Sequence, residues 1–327
     1  MKNEKNNNMK NDEKLKKILK TSIITFSVLT TINFIGIVGS SNALFTKSID
    51  SKNNIALKVV SYASKGVATT SIENLSKKDT INLAYDGTTD NNLRYIGKDP
   101  NNYVTFNNEL WRIIGVFTTE DSDGNTEQRI KLIRNEKLPT DMAWNNKDGW
   151  NSTNEWTTAT LNTYLNTDYY NSLTATAKNM IDNVKYYLGG SNTSSVDGAS
   201  FYNFERGITV ARGHSTNWIG LVGLMYPSDY VYTYALGVDN KCYTDGYTCN
   251  VGNKENGWIY NTNGNTIQWM LNPIEGDSLA FFVIGNGTID GEEVRKNHGI
   301  RPALYLNPNV EIESGNGSID SPYVFKL

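Results

Sequence analysis

Alternating apolar and polar positions predict two consecutive β-hairpins between residues 104 and 134. Apolar residues in 104–106 and 110–117 flank Asn107-Asn108, and paired asparagines tolerate the positive φ of a tight primed turn. Residues 129–134 largely alternate between charged and apolar side chains, which is the period of a half-buried strand. The polar segment 120–127 joins this strand to the preceding one, so the middle strand is shared by both hairpins.

Helical spacing follows the Trp-rich stretch 144–156. Thr174 is a suitable N-cap for the second of two short helices. The apolar positions that carry this spacing are Leu161, Tyr164 and Leu165, then Ala177, Met180, Ile181 and Val184. From Gly189 onward, long Gly- and Asn-rich loops separate short strands predicted at 208–211, 280–284 and 303–306.

The N-terminus has the pattern of an export segment. Seven lysines within residues 1–20 precede an apolar run over 23–38, and Ser41-Asn42-Ala43 offers small residues for cleavage after Ala43. Residues 1–43 are therefore predicted to be a signal peptide or a membrane anchor, with membrane contact through 20–39 if the signal is uncleaved. Either form predicts a secreted or cell-surface protein, the second one tethered to the cytoplasmic membrane.

Beyond the export segment, composition divides the chain once more. Residues 44–78 are rich in Ser, Lys, Asn and Thr and are predicted to be a polar lead-in or stalk. Aromatic and β-branched residues become dense after that, so 79–327 is expected to be a single extracellular globular domain. The formal net charge of -3, without long basic blocks outside the N-terminus, argues against a nucleic-acid partner.

Two cysteines, Cys242 and Cys249, enclose a short loop with the turn signal Asp245-Gly246. Both fall in the part predicted to be translocated, where an oxidising environment favours a disulfide between them. Two free thiols, or half of a metal site, are the alternative.

Four segments together resemble a bacterial extracellular family, the domain of unknown function 6273. They are 111–115 (WRIIG), 220–230 (GLVGLMYPSDY), 269–273 (WMLNP) and 299–306 (GIRPALYL). The resemblance implies an α+β, C-type-lectin-like fold, related to that of formylglycine-generating oxidases, with a mixed twisted sheet, two helices and long loops. Asn272 departs from the Arg-Ser usual in the family, which puts in doubt the polar contact of that Arg.

Three tryptophans, Trp144, Trp150 and Trp156, alternate with Asn and Asp side chains and are candidates for a sugar-binding platform. Tyr226 and Asp229, within the second of the resembling segments, are added as candidate ligand-binding residues. The alternative is structural, because large aromatic residues beside loops commonly pin those loops to the core.

Catalytic and metal-binding patterns are weak. Asp121-Ser122-Asp123-Gly124-Asn125 has oxygen ligands suited to Ca²⁺, but a simple Asp-Gly turn explains it as well. His214 and His298 lack partners at zinc-ligand spacing. No catalytic residue, metal or cofactor is assigned, and formylglycine chemistry is not expected from two cysteines that are close together in one turn.

The favoured hypothesis is an exported surface module that binds an extracellular glycan or protein through its loops. One alternative is an envelope hydrolase that uses paired carboxylates, for which the candidates are Asp229, Asp277, Glu292 and Glu293. The other alternative is a structural component of the cell surface.

Overall fold

The computed structural model describes most of the chain after residue 64, and its described residues follow in one list. They are 65–190, 197–207, 213–234, 256–260, 267–274 and 276–327, with the backbone alone of 43–49, 55–61, 242–245, 248–251 and 261–263. The chain separates into two compact units, Met1–Ser61 and Tyr62–Leu327. In the first unit, β1 (Ala43–Ile49) and β2 (Ile55–Ser61) form an antiparallel hairpin.

The second unit is a mixed α+β structure. Its strands, in chain order, are β3 (Gly66–Val67), β4 (Leu83–Tyr85), β5 (Leu93–Tyr95), β6 (Tyr103–Phe106), β7 (Glu109–Glu120), β8 (Thr126–Arg134), β9 (Met142–Ala143), β10 (Val184–Tyr187), β11 (Asn217–Gly220), β12 (Val222–Gly223), β13 (Cys242–Asp245), β14 (Thr248–Val251), β15 (Gln268–Pro273), β16 (Leu279–Val283), β17 (Ile289–Glu293), β18 (Asn297–His298), β19 (Ala303–Tyr305), β20 (Glu311–Ser314) and β21 (Tyr323–Lys326).

The helices among the described residues are all short. They are α1 (Ala68–Ser76), α2 (Thr160–Tyr164), α3 (Tyr170–Ser172), α4 (Ala175–Met180), α5 (Gly198–Arg206), α6 (Pro227–Val231) and α7 (Trp258–Asn263), with a π-helical turn at Leu165–Tyr169 and 3₁₀ turns at Gly149–Asn151 and Trp156–Thr158. Within the part of the chain that the structure describes, no helix is both long and apolar enough to span a bilayer. The predicted export segment lies outside that part, apart from the backbone of Ala43 at the start of β1.

Ten of the described strands form one large mixed sheet. Its main path runs β12-β19-β8-β7-β6-β21-β20-β3, and β5 continues the same edge of β7 that β6 occupies, with β4 paired to β5. β21 and β6 are parallel and the other pairs are antiparallel. A second sheet has the order β13-β14-β17-β16-β15.

Both predicted hairpins are confirmed. Asn107 and Asn108 join β6 to β7 with φ of 54° and 59°, the left-handed values that a two-residue primed turn requires. Asp121 closes the β7–β8 turn, because its Oδ1 accepts hydrogen bonds from the backbone N of Asp123 (2.9 Å) and of Asn125 (2.9 Å). These hydrogen bonds are those of an Asx-type turn, which explains the acidic residues at 121–125.

The predicted helices are confirmed over part of their length. Thr174 caps α4, and its Oγ1 accepts a hydrogen bond from Ala177 N at 3.2 Å. Helical structure ends at Met180, however, and the helical pattern was wrong at Val184, which begins strand β10. Ile181 is extended and bridges to Leu306, so a strand contact replaces the next helical turn.

Two of the three later strand predictions are confirmed, by β16 and β19, while 208–211 lies outside the described residues. The expected boundary at residue 79 was wrong. α1 packs Ala68, Ile72 and Leu75 into the core, and β3 pairs with β20, so residues 65–78 belong to the globular unit. Residues 44–61, also part of the predicted stalk, contain the β1–β2 hairpin except for its first residue, Ala43.

Aromatic rings in mutual contact run through the core beside the large sheet. The ring centroids are 5.0 Å apart for Trp144–Trp156, 6.1 Å for Trp156–Trp218, 5.4 Å for Trp218–Tyr186 and 5.4 Å for Tyr186–Tyr305. Edge-to-face and tilted contacts of this kind add to the free energy gained from burying the rings themselves. Through these contacts Trp144 and Trp156, which lie outside the strands, are joined to β10, β11 and β19.

Candidate functional site

Trp150 is the most exposed aromatic side chain of the described residues, with 82% of its surface accessible. It lies in the 3₁₀ turn Gly149–Asn151, which Gly149 enters with a φ of +58°. Burying an indole contributes a large hydrophobic free energy, so an exposed one on an ordered turn is a candidate contact for another molecule.

Asn145 holds the start of the Trp150 loop. Its Oδ1 accepts hydrogen bonds from the backbone N of Lys147 (3.1 Å) and of Thr160 (3.2 Å). Its Nδ2 donates to the carbonyl oxygen of Thr153 at 2.8 Å. One buried amide therefore joins both ends of the loop and restricts the backbone around Trp150.

Asn154 attaches the other end of the same loop to the second sheet. Its Nδ2 is within 3.0 Å of three carbonyl oxygens, those of Ile274 (2.9 Å), Gly276 (3.0 Å) and Leu279 (2.7 Å). Its backbone N also donates to the carbonyl oxygen of Asp277 at 2.8 Å. The Asn residues of this stretch, expected to contact a sugar, thus include two that instead fix the loop.

Arg295 packs on the Trp150 ring. The guanidinium carbon is 3.4 Å from the ring centroid, and Nη2 is 2.6 Å from Oε2 of Glu293. A guanidinium stacked on an indole is a favourable cation–π arrangement, and the carboxylate of Glu293 orients it. We define the Trp150 surface as Trp150, its packed neighbours Arg295 and Glu293, and the exposed residues Lys147 and Asp148 of the same loop; it combines an aromatic ring with charged donors and acceptors.

Trp144 and Trp156 do not contribute to this surface. They are 0% and 1% exposed, and Trp144 Nε1 donates to the carbonyl oxygen of Met270 at 3.1 Å. The three-tryptophan platform was therefore wrong, and the structural alternative holds for these two residues. Alternation with polar residues did not reveal burial, because two of the Asn partners, Asn145 and Asn154, are buried as well.

Tyr226 and Asp229, the other candidate ligand-binding residues, are also buried. Asp229 Oδ1 accepts from Arg94 Nη1 at 2.9 Å, and Oδ2 accepts from Lys131 Nζ at 2.5 Å and from Tyr226 N at 2.9 Å. Their assignment to a ligand surface was wrong, since every oxygen of the carboxylate already has a partner inside the protein.

The buried charges shift one another's protonation. Burial raises the pKa of Asp229, but the positive charges of Lys131 and Arg94 outweigh this, and the pKa is lowered overall. Burial lowers the pKa of Lys131 to about 8, against the opposing effect of Asp229. Arg94 in turn donates from Nε to Asp86 Oδ2 at 2.8 Å, which extends the network toward the β4–β5 turn.

Glu205, at the end of α5, forms a second buried group beside this network. Burial is the largest influence and raises the pKa of Glu205 to about 7, while the charge of Arg206 opposes it. Arg206 is itself stacked over the Tyr202 ring at 3.4 Å from the centroid. No sequence pattern marked Arg94, Lys131 or Glu205, because they come from three distant parts of the chain.

Three of the carboxylates proposed for catalysis, Asp229, Glu292 and Glu293, do not pair with one another. Asp229 is sealed, and Glu292 and Glu293 are consecutive in β17, so their side chains point to opposite faces of the strand. His298 Nε2 is 3.7 Å from Glu292 Oε2, and burial lowers the pKa of His298. In the described part of the chain, no three His, Cys, Asp or Glu side chains are grouped to hold a metal ion.

Cys242 and Cys249 lie on the two strands of the β13–β14 hairpin, where Cys242 is opposite Val251 and Cys249 is opposite Thr244. Opposite residues share a face of the hairpin, so this register places both cysteines on one face, diagonally related. Their side chains lie outside the described residues, and the disulfide stays a prediction.

Asn272, the position that departs from the family pattern, is buried. Its Nδ2 donates to the carbonyl oxygens of Tyr187 (3.2 Å) and Gly189 (2.8 Å), joining β15 to the end of β10.

No protein-family model, curated protein or solved structure matches this chain. The family resemblance therefore stays a prediction.

Proposed function

We propose that this chain is an exported surface protein whose globular unit binds an extracellular glycan through the Trp150 surface. The observation that carries the proposal is the 82% exposure of Trp150 on a loop braced by Asn145 and Asn154. A fixed aromatic ring binds without the entropy cost of ordering it first.

The chemistry of the surface fits a sugar. The apolar face of a pyranose ring packs on an indole, while hydroxyl groups exchange hydrogen bonds with charged side chains beside it. Arg295 supplies donors, and Glu293 and Asp148 supply acceptors. Trp and Arg are also frequent at the centres of protein interfaces, so a protein ligand is the outcome to be separated from a glycan.

Export and fold belong to the same proposal. The Lys-rich and apolar N-terminus would deliver the unit outside the cytoplasmic membrane, by a cleaved signal or as a tethered protein. The mixed sheet with short helices and long loops supports a C-type-lectin-like fold, the expectation that follows from the resemblance to the family of domain of unknown function 6273. In that fold the ligand would be bound by loops, and Trp150 lies in such a loop.

The test is binding of the purified full chain to arrayed glycans and to insoluble cell-wall polysaccharides. Trp150→Ala should weaken binding to any positive glycan by tenfold or more, about 1.4 kcal/mol. Ile81→Ala removes a side chain that is equally exposed, at 80%, and should leave binding unchanged. Equal binding by the wild-type protein and Trp150→Ala would refute the proposed surface, and capture of a protein but no glycan would refute the ligand class.

The two alternatives predict other outcomes of the same experiment. Turnover of a bound polysaccharide, abolished by a single carboxylate substitution, would support an envelope hydrolase. The burial of Asp229 removes the candidate carboxylate that lies in the resembling segments. If the protein bound none of the glycans and proteins tested, the remaining hypothesis would be a structural component of the cell surface.

A further inference from the structure

Lys131 and Asp229 face each other in the interior of the globular unit. Lys131 lies in the middle of β8, and Asp229 lies in the first turn of α6. Lys131 Nζ is 2.5 Å from Asp229 Oδ2, and both side chains are 0% exposed. An amine and a carboxyl group are thus held together where bulk water does not reach them.

The surroundings of the pair are largely aromatic. Lys131 Nζ is 3.9 Å from the ring centroid of Tyr226, 5.1 Å from that of Tyr305 and 5.5 Å from that of Phe117. A low dielectric penalises both charges; it lowers the pKa of Lys131, whereas the positive charges of Lys131 and Arg94 keep the pKa of Asp229 below its usual value. Arg94 and Glu205 are the other charged groups that act on this amine.

We propose that Lys131 and Asp229 condense to an intramolecular amide bond that cross-links β8 to α6. One proton passes from the ammonium to the carboxylate, which gives a neutral amine and a neutral acid. The Nζ lone pair then adds to Cγ, a Cγ–O bond breaks, and the oxygen leaves as water with the acid proton and one amine proton. No oxidant, reductant or further reactant is needed.

Arg94 and Tyr226 are placed to assist the addition. Arg94 Nη1 donates to Oδ1 at 2.9 Å, so its positive charge would stabilise the negative charge that develops on that oxygen. Tyr226 N donates to Oδ2 at 2.9 Å and, together with Lys131, fixes the orientation of the carboxyl group. Holding reactants in one geometry replaces an encounter in solution by an intramolecular step.

Protonation near neutral pH also suits the reaction. Burial lowers the pKa of Lys131 to about 8, so the neutral amine is accessible. Glu205, whose pKa burial raises to about 7, would relay the second proton: it takes one proton from the amine and passes its own to the departing oxygen, so the water still forms from the acid proton and one amine proton. Glu205 is linked to the site through Ser228, the residue next to Asp229. The hydroxyl of Ser228 donates a hydrogen bond to Oε2 of Glu205 at 2.7 Å.

An internal control separates burial from proximity. Lys137 Nζ is also 2.5 Å from a carboxylate oxygen, that of Asp141, but these side chains are 36% and 46% exposed. Water stabilises both charges there, so this pair should remain an ion pair. We therefore expect an amide bond between Lys131 and Asp229 but not between Lys137 and Asp141.

The test is a tryptic digest of the denatured, reduced full chain, analysed by mass spectrometry. The bond predicts a branched peptide that joins residues 130–134 to 213–241, lighter by one water than the two sequences together and uncut after Lys131. Residues 135–147 should be cut after Lys137. Recovery of 213–241 as a linear peptide, together with cleavage of 130–134 after Lys131, would overturn the proposal.

Two variants test the assignment further. Lys131→Arg keeps the positive charge but removes the amine nucleophile, so the branched peptide should disappear while the protein still folds. Glu205→Gln keeps the shape of the side chain without its acidic proton, and the fraction cross-linked after a fixed time should fall at least tenfold. A branched peptide that persists in Lys131→Arg would overturn the assignment, and an unchanged fraction in Glu205→Gln would remove Glu205 from the reaction.

Discussion

Glu205 and Ser228 are joined by two hydrogen bonds, one to each carboxylate oxygen of the glutamate. Ser228 N donates to Oε1 at 2.7 Å, and Ser228 Oγ donates to Oε2 at 2.7 Å. Through this contact the last turn of α5 holds the first turn of α6, the helix that contains Asp229. The buried acid Glu205 therefore connects α5 to the helix that carries Asp229, the partner of Lys131 and Arg94.

This contact predicts a specific dependence of stability on pH. Burial raises the folded-state pKa of Glu205 to about 7, from 4.5 in the unfolded chain. Between these values the folded protein holds one more proton, so the free energy of unfolding falls as pH rises from 4.5 to 7. The contribution of Glu205 is ~3 kcal/mol, because each pKa unit corresponds to ~1.4 kcal/mol.

Denaturant unfolding of wild type and Glu205→Gln at pH 5 and pH 8 measures this effect. The loss of stability between the two pH values should be smaller in Glu205→Gln, since its amide does not titrate. Glu311→Gln, which changes a half-exposed carboxylate in β20, is the control and should follow the wild type. Parallel curves for wild type and Glu205→Gln would show that Glu205 is not the titrating group.

Gly115 gives a second prediction, on packing between strands. A Cβ at this position would lie 2.1 Å from the carbonyl oxygen of Leu93, far inside contact distance, where β5 pairs with β7. Gly115→Ala must push β5 away from β7, and it displaces Arg94, the neighbour of Leu93 and partner of Asp229.

The expected cost of Gly115→Ala is about 3 kcal/mol, at the upper end for overpacking, because the obstacle is backbone and not a movable side chain. Thr105→Ala, at an exposed position of β6, should cost less than about 1 kcal/mol. Thermal or denaturant unfolding of both variants measures the difference. A Gly115→Ala variant as stable as Thr105→Ala would contradict the close approach of β5 to β7.

The sequence predicted local structure where a few neighbouring residues decide it. The Asn107-Asn108 turn and the Thr174 cap were found because backbone conformation depends there on adjacent side chains. The start of the globular unit was missed, since α1 carries its apolar positions among Ser, Thr and Asn and is stabilised by contacts with the distant sheet. The helical prediction at Val184 was wrong for the same reason, because Val184 pairs with Gly220, which is remote in sequence.

The candidate site was harder to predict because burial and pairing depend on the complete fold. Trp144, Trp150 and Trp156 lie in similar polar contexts, yet only Trp150 is exposed. Arg295 could not be identified as the partner of Trp150, because β16 and β17 must first form to bring it there. Charge networks such as that of Arg94 have no sequence period at all.

Trp156 and Trp150 form a matched pair for the last prediction, since the same substitution should give opposite results in two assays. Trp156→Ala removes a buried ring that contacts Trp144 and Trp218, and it should lower the free energy of unfolding by about 3–5 kcal/mol.

Trp150→Ala removes an exposed ring and its stacking with Arg295, which should cost less than about 1 kcal/mol. Urea unfolding of both variants at one pH gives the two values. If Trp150→Ala destabilised the protein as strongly as Trp156→Ala, Trp150 would be a packing residue, and loss of ligand binding in that variant would no longer identify a binding surface. A large difference, with binding lost only where stability is kept, assigns core packing to Trp156 and ligand contact to Trp150.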